Sequence, residues 1–221
     1  MTRQVKYGCL TAALAVFVLV GVWVYVGIVR PAQAVLDDLD LVATLAPMNE
    51  GIVNQDPFVP PPGNELTEEA LQRFSRIQET MQTGLGEADF ALLNERSRTL
   101  MGMFDGDGED KLRDVSLKTA VMALDGLGPV LVRAKGLQIA GINQEGLSLA
   151  EYRWTRERFY RALGFSRANI YFEDFAAAMK AGKNTAPPLE DTAPPPERNR
   201  DLAALYSDSV DGWHAFMIFG L

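Results

Sequence analysis

The hydrophobic and polar positions of this chain follow three different patterns along its 221 residues. The first is a continuous apolar run, because residues 8–29 are 22 consecutive residues without a charge. As a helix this run would span about 33 Å, which is enough for a hydrocarbon core of about 30 Å. A helix is required there because lipid offers no hydrogen-bond partner to the backbone. The pattern predicts a single transmembrane anchor within residues 1–30, in contact with the lipid bilayer through residues 8–29.

The second pattern is helical and begins near residue 65. Apolar residues recur there at steps of three or four, as on one face of a helix, in the order Leu71, Phe74, Ile77, Met81 and Leu85. Thr67 is the expected N-cap, because its side chain can accept a hydrogen bond from the first turn. Gly84 and Gly86 are expected to end this helix, and a second one follows from Glu87.

A capping box marks another helix further along the chain. Ser148 is followed three residues later by Glu151, the spacing at which each side chain can satisfy a backbone amide of the other residue. An alternating strand pattern of useful length does not occur in the sequence. We therefore predict an all-α fold, in which residues 65–182 form a small bundle of about five or six helices.

The third pattern is rich in proline. Residues 31–64 contain Pro47, Pro57 and the run Pro60-Pro61-Pro62, which favours an extended conformation rather than a helix. These residues are predicted to form an acidic, proline-rich stalk. Residues 183–197 are predicted to be a second proline-rich linker, and residues 198–221 a tethered, amphipathic C-terminal helix. The apolar stripe of this helix is predicted to consist of Leu202, Leu205, Tyr206, Val210, Trp213 and Met217.

The charge distribution predicts the orientation of the anchor. The chain has a net charge of -8 and a pI near 4.8, which argues against binding nucleic acid by phosphate neutralisation. Lys and Arg are more frequent before the apolar run than after it, so the positive-inside rule places the N-terminus in the cytoplasm and the bulk of the chain outside it. The alternative is a signal peptide cleaved after Ala34, but the apolar run is longer than is usual for one.

The sequence contains few candidate catalytic or metal-binding residues. With one Cys and one His, the chain can form neither an intrachain disulfide nor a multi-histidine metal site. Asp105, Asp107 and Glu109 resemble the first half of a calcium loop, but the second half lacks the required Gly and Glu, which favours an acidic turn. His214 lies among apolar residues and is interpreted as structural. We predict no catalytic, cofactor-binding or metal-binding residue; an enzyme would need to pair dispersed carboxylates such as Glu79, Glu95 and Glu151 across a cleft.

The candidate partner-binding residues are Trp154, Arg158, Trp213, Phe216 and Phe219. Trp154 lies about 200° around its helix from the apolar stripe, so it is either an exposed contact residue or part of a helix buried on two faces. The apolar C-terminus has three possible roles: docking on its own bundle, binding a partner's groove as an amphipathic helix, or touching the membrane surface.

Short stretches of the chain resemble a group of uncharacterised bacterial single-pass envelope proteins with a helical exterior domain. The stretches are Leu66-Thr67 with Arg73-Phe74, and Gly146-Leu147-Ser148 through Glu151-Tyr152-Arg153-Trp154. The resemblance implies no assigned activity. Together with the predicted anchor, it points to a membrane-anchored, non-catalytic interaction or accessory protein of the bacterial envelope, with a protein partner. The anchor would then lie in the bacterial inner membrane, with the N-terminus in the cytoplasm and the C-terminal region in the periplasm. The alternative is a periplasmic ligand-binding or chaperone-like helical module that holds a lipid or peptide.

Overall fold

The computed structural model describes residues 40–41, 43–104, 126–165, 171 and 194–221. All regular structure within these residues is helical, apart from an isolated bridge between Asn54 and Ser148. The all-α prediction is therefore confirmed for the described part of the chain. The helices are α1 (Leu45–Met48), α2 (Glu68–Phe104), α3 (Gly128–Glu145), α4 (Leu149–Ala162), α5 (Glu197–Ala204) and α6 (Ser207–Phe219), and 3₁₀ turns cover Asn49–Gly51 and Pro62–Asn64.

Several predicted features lie wholly or partly outside the described residues. They are the anchor at 8–29, the alternative cleavage after Ala34, the first part of the stalk at 31–39, the acidic turn at 105–109, the parts of the bundle at 110–125 and most of 166–182, and most of the linker at 183–197. Among the helices that are described, none combines the length and the apolar character needed to span a membrane.

Helix α2 begins and breaks where the sequence predicts. The Thr67 hydroxyl accepts a hydrogen bond from the Ala70 amide at 3.1 Å, which caps the helix. At Gly86 the backbone has φ 74° and ψ 166°, a region that is essentially restricted to glycine. The break divides α2 into two arms, residues 68–85 and 87–104. The five residues of the predicted apolar stripe are all buried in the first arm.

The first arm of α2 packs antiparallel to α3, with Ile77 beside Gly141 and Gly84 beside Leu137. The helices approach closely because these glycines carry no side chain: a Cβ on Gly141 would lie 3.4 Å from the Ile77 Cα. On its other side, the arm meets an aromatic cluster centred on Phe74. The Phe74 ring centroid lies 5.2–6.2 Å from the rings of Phe159, Tyr152, Tyr160 and Trp213.

The proline-rich region differs from the predicted stalk where it is described. Leu45, Ile52 and Leu66 are buried against the helices, so residues 45–66 lie on the bundle instead of standing away from it. We call residues 52–66 the strap. The difference arises because the apolar residues at both ends of the strap find places in the core, and the prolines only require an extended path between them.

The C-terminal region forms two helices where the sequence predicts one. The chain turns at Leu205 and Tyr206, and the amide of Tyr206 bonds to the Ala203 carbonyl. This turn resets the helical register, so Leu205, predicted to lie on the apolar stripe, is 76% exposed. The region packs on α2 and α4, which is the first of the three alternatives considered for it.

Candidate interaction surface

The beginning of the strap is held by the side chain of Asn143 on α3. Its Nδ2 donates to the Gly51 carbonyl at 2.9 Å, and its Oδ1 accepts from the Val53 amide at 2.8 Å. A carboxamide can donate and accept at the same time, so one asparagine satisfies both backbone groups. The path of the strap is fixed as it leaves the 3₁₀ turn.

The end of the strap is held in the same way by Asn199 on α5. Its Oδ1 accepts from the Leu66 amide at 2.7 Å, and its Nδ2 donates to the Asn64 carbonyl at 3.1 Å. The Asn199 side chain is fully buried. Leaving these groups unpaired would carry the full desolvation penalty, so this pair of bonds fixes the exit of the strap.

Two contacts hold the middle of the strap. Asn54 donates to the Gly146 carbonyl and accepts from the Asp56 amide, both at 2.9 Å. The ring of Phe58 packs on Trp154 of α4, with 5.3 Å between ring centroids and a tilted arrangement. Such aromatic pairs contribute about 0.5–1.5 kcal/mol beyond the area they bury. The strap is thus attached to α3, α4 and α5 in turn.

The outer face of the strap is apolar and open to solvent. Ile52 and Phe58 face the bundle, whereas Val53 and Val59 are 81% and 82% exposed. Residues 57–62, which we call the proline ridge, contain four prolines and Val59, and most of them are exposed. An apolar surface held in a fixed conformation is characteristic of a contact site.

The α3–α4 corner beneath the start of the strap is stabilised by two arginines of α2. Arg73 donates to the Glu145 carbonyl through Nε and Nη2, at 3.2 and 2.6 Å, and its Nη1 lies 3.5 Å from the Glu151 carboxylate. Arg76 binds the Glu145 carboxylate with two hydrogen bonds, at 2.9 and 2.6 Å. The hydrogen bonds from Arg76 lower the pKa of Glu145. The positive charges also lie at the C-terminal end of α3, where the helix dipole favours them.

One of the two hydrogen bonds of the predicted capping box is confirmed, namely the bond accepted by the Ser148 side chain. The Ser148 hydroxyl accepts from the Glu151 amide at 3.2 Å, and α4 begins at the next residue. The Glu151 carboxylate, predicted to reach back to the Ser148 amide, faces Arg73. A cation contributed by another helix is a partner that local sequence spacing does not reveal.

Trp154 and Arg158, two of the five candidate partner-binding residues, are half-buried and one turn apart on the same face of α4. Trp154 is covered on one side by Phe58 of the strap. Its Nε1 and the Nε of Arg158 are shielded from solvent, and no acceptor among the described residues reaches either. These two nitrogens lie beneath the surface, so a partner on this face would contact the outer parts of the two side chains instead.

The other three candidates belong to the core. Trp213 and Phe219 are 2% exposed and Phe216 is fully buried. Trp213 packs on Phe74, and Phe216 lies 5.7 Å from Phe90 between ring centroids. These side chains do not reach the surface of the described structure, so they hold the C-terminal helices to the bundle.

A buried arginine completes the attachment of α6. Arg156 of α4 is fully buried; its Nη2 donates to the Met217 carbonyl at 2.5 Å and its Nε to the Leu221 carbonyl at 3.2 Å. The last carbonyls of a helix have no partner within the helix, and a cation is favourable there. The Tyr160 hydroxyl also donates to the Trp213 carbonyl at 3.3 Å, and burial raises the pKa of that hydroxyl far above its ordinary value.

The described part of the chain contains no cluster of acidic, His or Cys side chains that could hold a metal ion. Within residues 40–41, 43–104, 126–165, 171 and 194–221, no three His, Cys, Asp or Glu side chains come together. His214 stacks near Phe165 with 4.8 Å between ring centroids. Glu95 lies 4.0 Å from Arg96, and Glu151 lies near Arg73. These contacts are typical of structural roles.

The residues that build the strap surface were missed by the sequence analysis. Phe58 and the two holding residues, Asn143 and Asn199, carry no motif. The asparagines bond to backbone groups about 90 and 133 positions away. A weak signal does exist, since Ile52 and Phe58 are apolar residues within a polar, proline-rich stretch.

Comparisons with known proteins give no guide to function, so a functional argument has to start from this surface. No family model, no curated protein and no solved structure matches the chain. The similarity to bacterial single-pass envelope proteins stays a prediction.

Proposed function

We propose that this chain is a membrane-anchored, non-catalytic interaction or accessory protein of the bacterial envelope. The uncharged run at residues 8–29 would tether it to the inner membrane, and the helical domain would lie in the periplasm. The strap and the adjoining face of α4 would form its contact surface.

One observation carries the proposal: the strap is attached at both ends, yet Val53 and Val59 are more than 80% exposed. A partner that covered these two side chains would gain the free energy of burying their apolar surface, about 25 cal/mol per Å². Because the hydrogen bonds at Asn143 and Asn199 fix the backbone, little conformational entropy is left to lose when a partner binds.

The location is tested on the full-length protein in its own membranes. Alkaline carbonate extraction is expected to leave it in the membrane pellet. A membrane-impermeant maleimide is expected to label Val53→Cys after the outer membrane is permeabilised, without lysis of the inner membrane. Protein in the supernatant, or labelling that requires lysis, would contradict the proposed location.

The interaction is tested by placing a photoreactive p-benzoylphenylalanine at Val53 or at Val59. Irradiated membranes are expected to give a discrete adduct with another protein. Leu205 supplies the matched control, because it is similarly exposed and lies outside the strap. Equal adduct yields from the strap positions and from Leu205 would argue against a contact surface on the strap.

The alternative function, a module that holds a lipid or peptide, stays a prediction. Native mass spectrometry of the purified protein checks it, and a co-purifying lipid or peptide of fixed mass would favour it over the proposal made here.

A further inference from the structure

We propose that the proline ridge, residues 57–62, is a preformed polyproline-type ligand for a partner protein with an aromatic-lined groove. This inference rests on the proposed function and specifies the chemistry of the partner.

The backbone of the ridge is restricted by its own sequence. Each of the four prolines holds φ near -65°, and residues that precede a proline are biased to extended conformations. At Pro61 the structure has φ -57° and ψ 152°, close to the polyproline II values of about -75° and +145°. The extended path ends there, because Pro62 begins the 3₁₀ turn Pro62–Asn64. Phe58 is restricted in neither of these ways, because it is not a proline and does not precede one. Its ring is held by Trp154 instead.

The chain on either side of the ridge is also fixed. Asn54 accepts from the Asp56 amide immediately before it. Beyond it, the Asn64 amide bonds to the Pro61 carbonyl at 3.1 Å, and Asn199 holds Asn64 and Leu66. A rigid ligand loses less entropy on binding than a flexible one.

The groups that the ridge offers suit a groove rather than a β-strand. Its four prolines have no amide hydrogen, so a partner strand could not form a regular ladder with it. Val59 and the rings of Pro60 and Pro62 are exposed. Proline-rich segments of this kind dock between aromatic side chains in recognition domains that bind polyproline helices.

The charges beside the ridge are acidic, because Asp56 precedes it, Glu65 follows it, and both are exposed. Neither contributes a positive charge that would attract anionic lipid headgroups. Electrostatic complementarity therefore favours a protein groove with a basic rim. The partner that we propose is a protein whose groove combines aromatic walls with Lys or Arg at its edges.

The test uses the full-length protein in native membranes, with p-benzoylphenylalanine in place of Val59. A synthetic peptide with the sequence of residues 56–63 competes for the partner, and the control peptide has alanine at all four prolines. We expect the proline peptide, in excess over its dissociation constant, to reduce the adduct at least about tenfold. The alanine peptide should leave the adduct nearly unchanged.

A second variant tests the ridge within the protein itself. Pro60→Ala combined with Pro61→Ala should reduce the Val59 adduct, while slow hydrogen exchange of the Leu66 amide shows that the strap is still docked. An undiminished Val59 adduct together with slow exchange at Leu66 would overturn the inference, because the docked strap would then be recognised without its prolines.

Three results would overturn the inference and leave the proposed function intact. The first is an adduct that both peptides compete equally or not at all. The second is an adduct at Val53 with none at Val59, and the third is an adduct of twice the chain's own mass, which would indicate a second copy. Adducts with lipid alone would overturn it as well.

Discussion

The strap and the C-terminal helices lie on the same bundle, but different forces hold them there. The C-terminal helices insert Trp213, Phe216 and Phe219 into the core. The strap buries apolar side chains mainly at its ends, and its path is set by hydrogen bonds to Asn143 and Asn199. Apolar burial makes the C-terminal helices part of the folded core. Hydrogen bonds hold the strap while its outer face stays exposed, which is the property a contact surface needs.

The expected stabilities differ in the same way. Truncation of a fully buried aromatic residue costs about 3–5 kcal/mol. A typical hydrogen bond contributes a net 0.5–1.5 kcal/mol, roughly. We therefore expect the strap to open without unfolding of the bundle, and the C-terminal helices to unfold together with it.

The largest effect is expected for Trp213→Ala. Loss of this side chain leaves a cavity beside Phe74, and should lower the free energy of unfolding by about 3–5 kcal/mol. Urea denaturation of the full-length protein in detergent, followed by circular dichroism, measures it. Leu205→Ala is the control in the same region and should change stability by less than about 0.5 kcal/mol. Equal costs for the two variants would mean that the C-terminal helices are not core elements.

Arg156→Met should give the next largest effect. The Leu221 carbonyl would lose the Arg156 donor in a buried setting, and the Met217 carbonyl would keep only its bond from the Gly220 amide, at an expected cost of about 2–4 kcal/mol. Arg156→Lys keeps the charge without the two-armed geometry and should restore only part of the stability. The same denaturation measurement applies. A stable Arg156→Met protein would show that the end of α6 does not depend on this guanidinium.

Asn199→Ala should have a smaller and local effect. It removes both bonds at the end of the strap, with an expected cost of about 1–3 kcal/mol. Hydrogen exchange at Leu66 should become faster while the core helices keep their protection. Asn143→Ala is the counterpart at the other end and should release the Val53 amide first. If neither variant changed exchange in the strap, these asparagines would not be what holds it.

The smallest effect is a pH dependence at the corner beneath the strap. Arg76 lowers the pKa of Glu145 in the folded protein, so the pair stabilises the fold above the unfolded pKa of about 4.3. That contribution is lost as the pH falls through the lowered pKa of the folded state. Wild type should therefore progressively lose its advantage over Glu145→Gln as the pH falls below about 5. Parallel pH dependences of the two urea midpoints would contradict this assignment.

The sequence predicted the features that depend on residues close together in the chain. Thr67 caps α2, Gly86 breaks it, and Ser148 caps α4. Each of these is a local preference of the backbone or of a side chain for its neighbours. The buried stripe of α2 also follows from spacing alone, because helical periodicity places those residues on one face.

The candidate surface could not be predicted in the same way. Asn143 and Asn199 act on backbone groups that are distant in sequence, and proline content indicates an extended path without indicating what lies beside it. The C-terminal stripe was disrupted by the turn at Leu205, which has no proline or glycine to mark it. Trp154 was singled out because of its helical position, but its contact with Phe58 emerges only in the fold.

Residue-resolved hydrogen exchange at the Leu66 and Val53 amides tests the central claim most directly, which is that the strap is docked and held at both ends. The account predicts that both amides exchange at least about tenfold more slowly than an unstructured peptide, with Leu66 the slower because its bond to Asn199 is buried. Exchange of both amides at the rate of an unstructured peptide, in the folded protein, would contradict it. That result would favour the prediction that this region is a stalk standing away from the bundle.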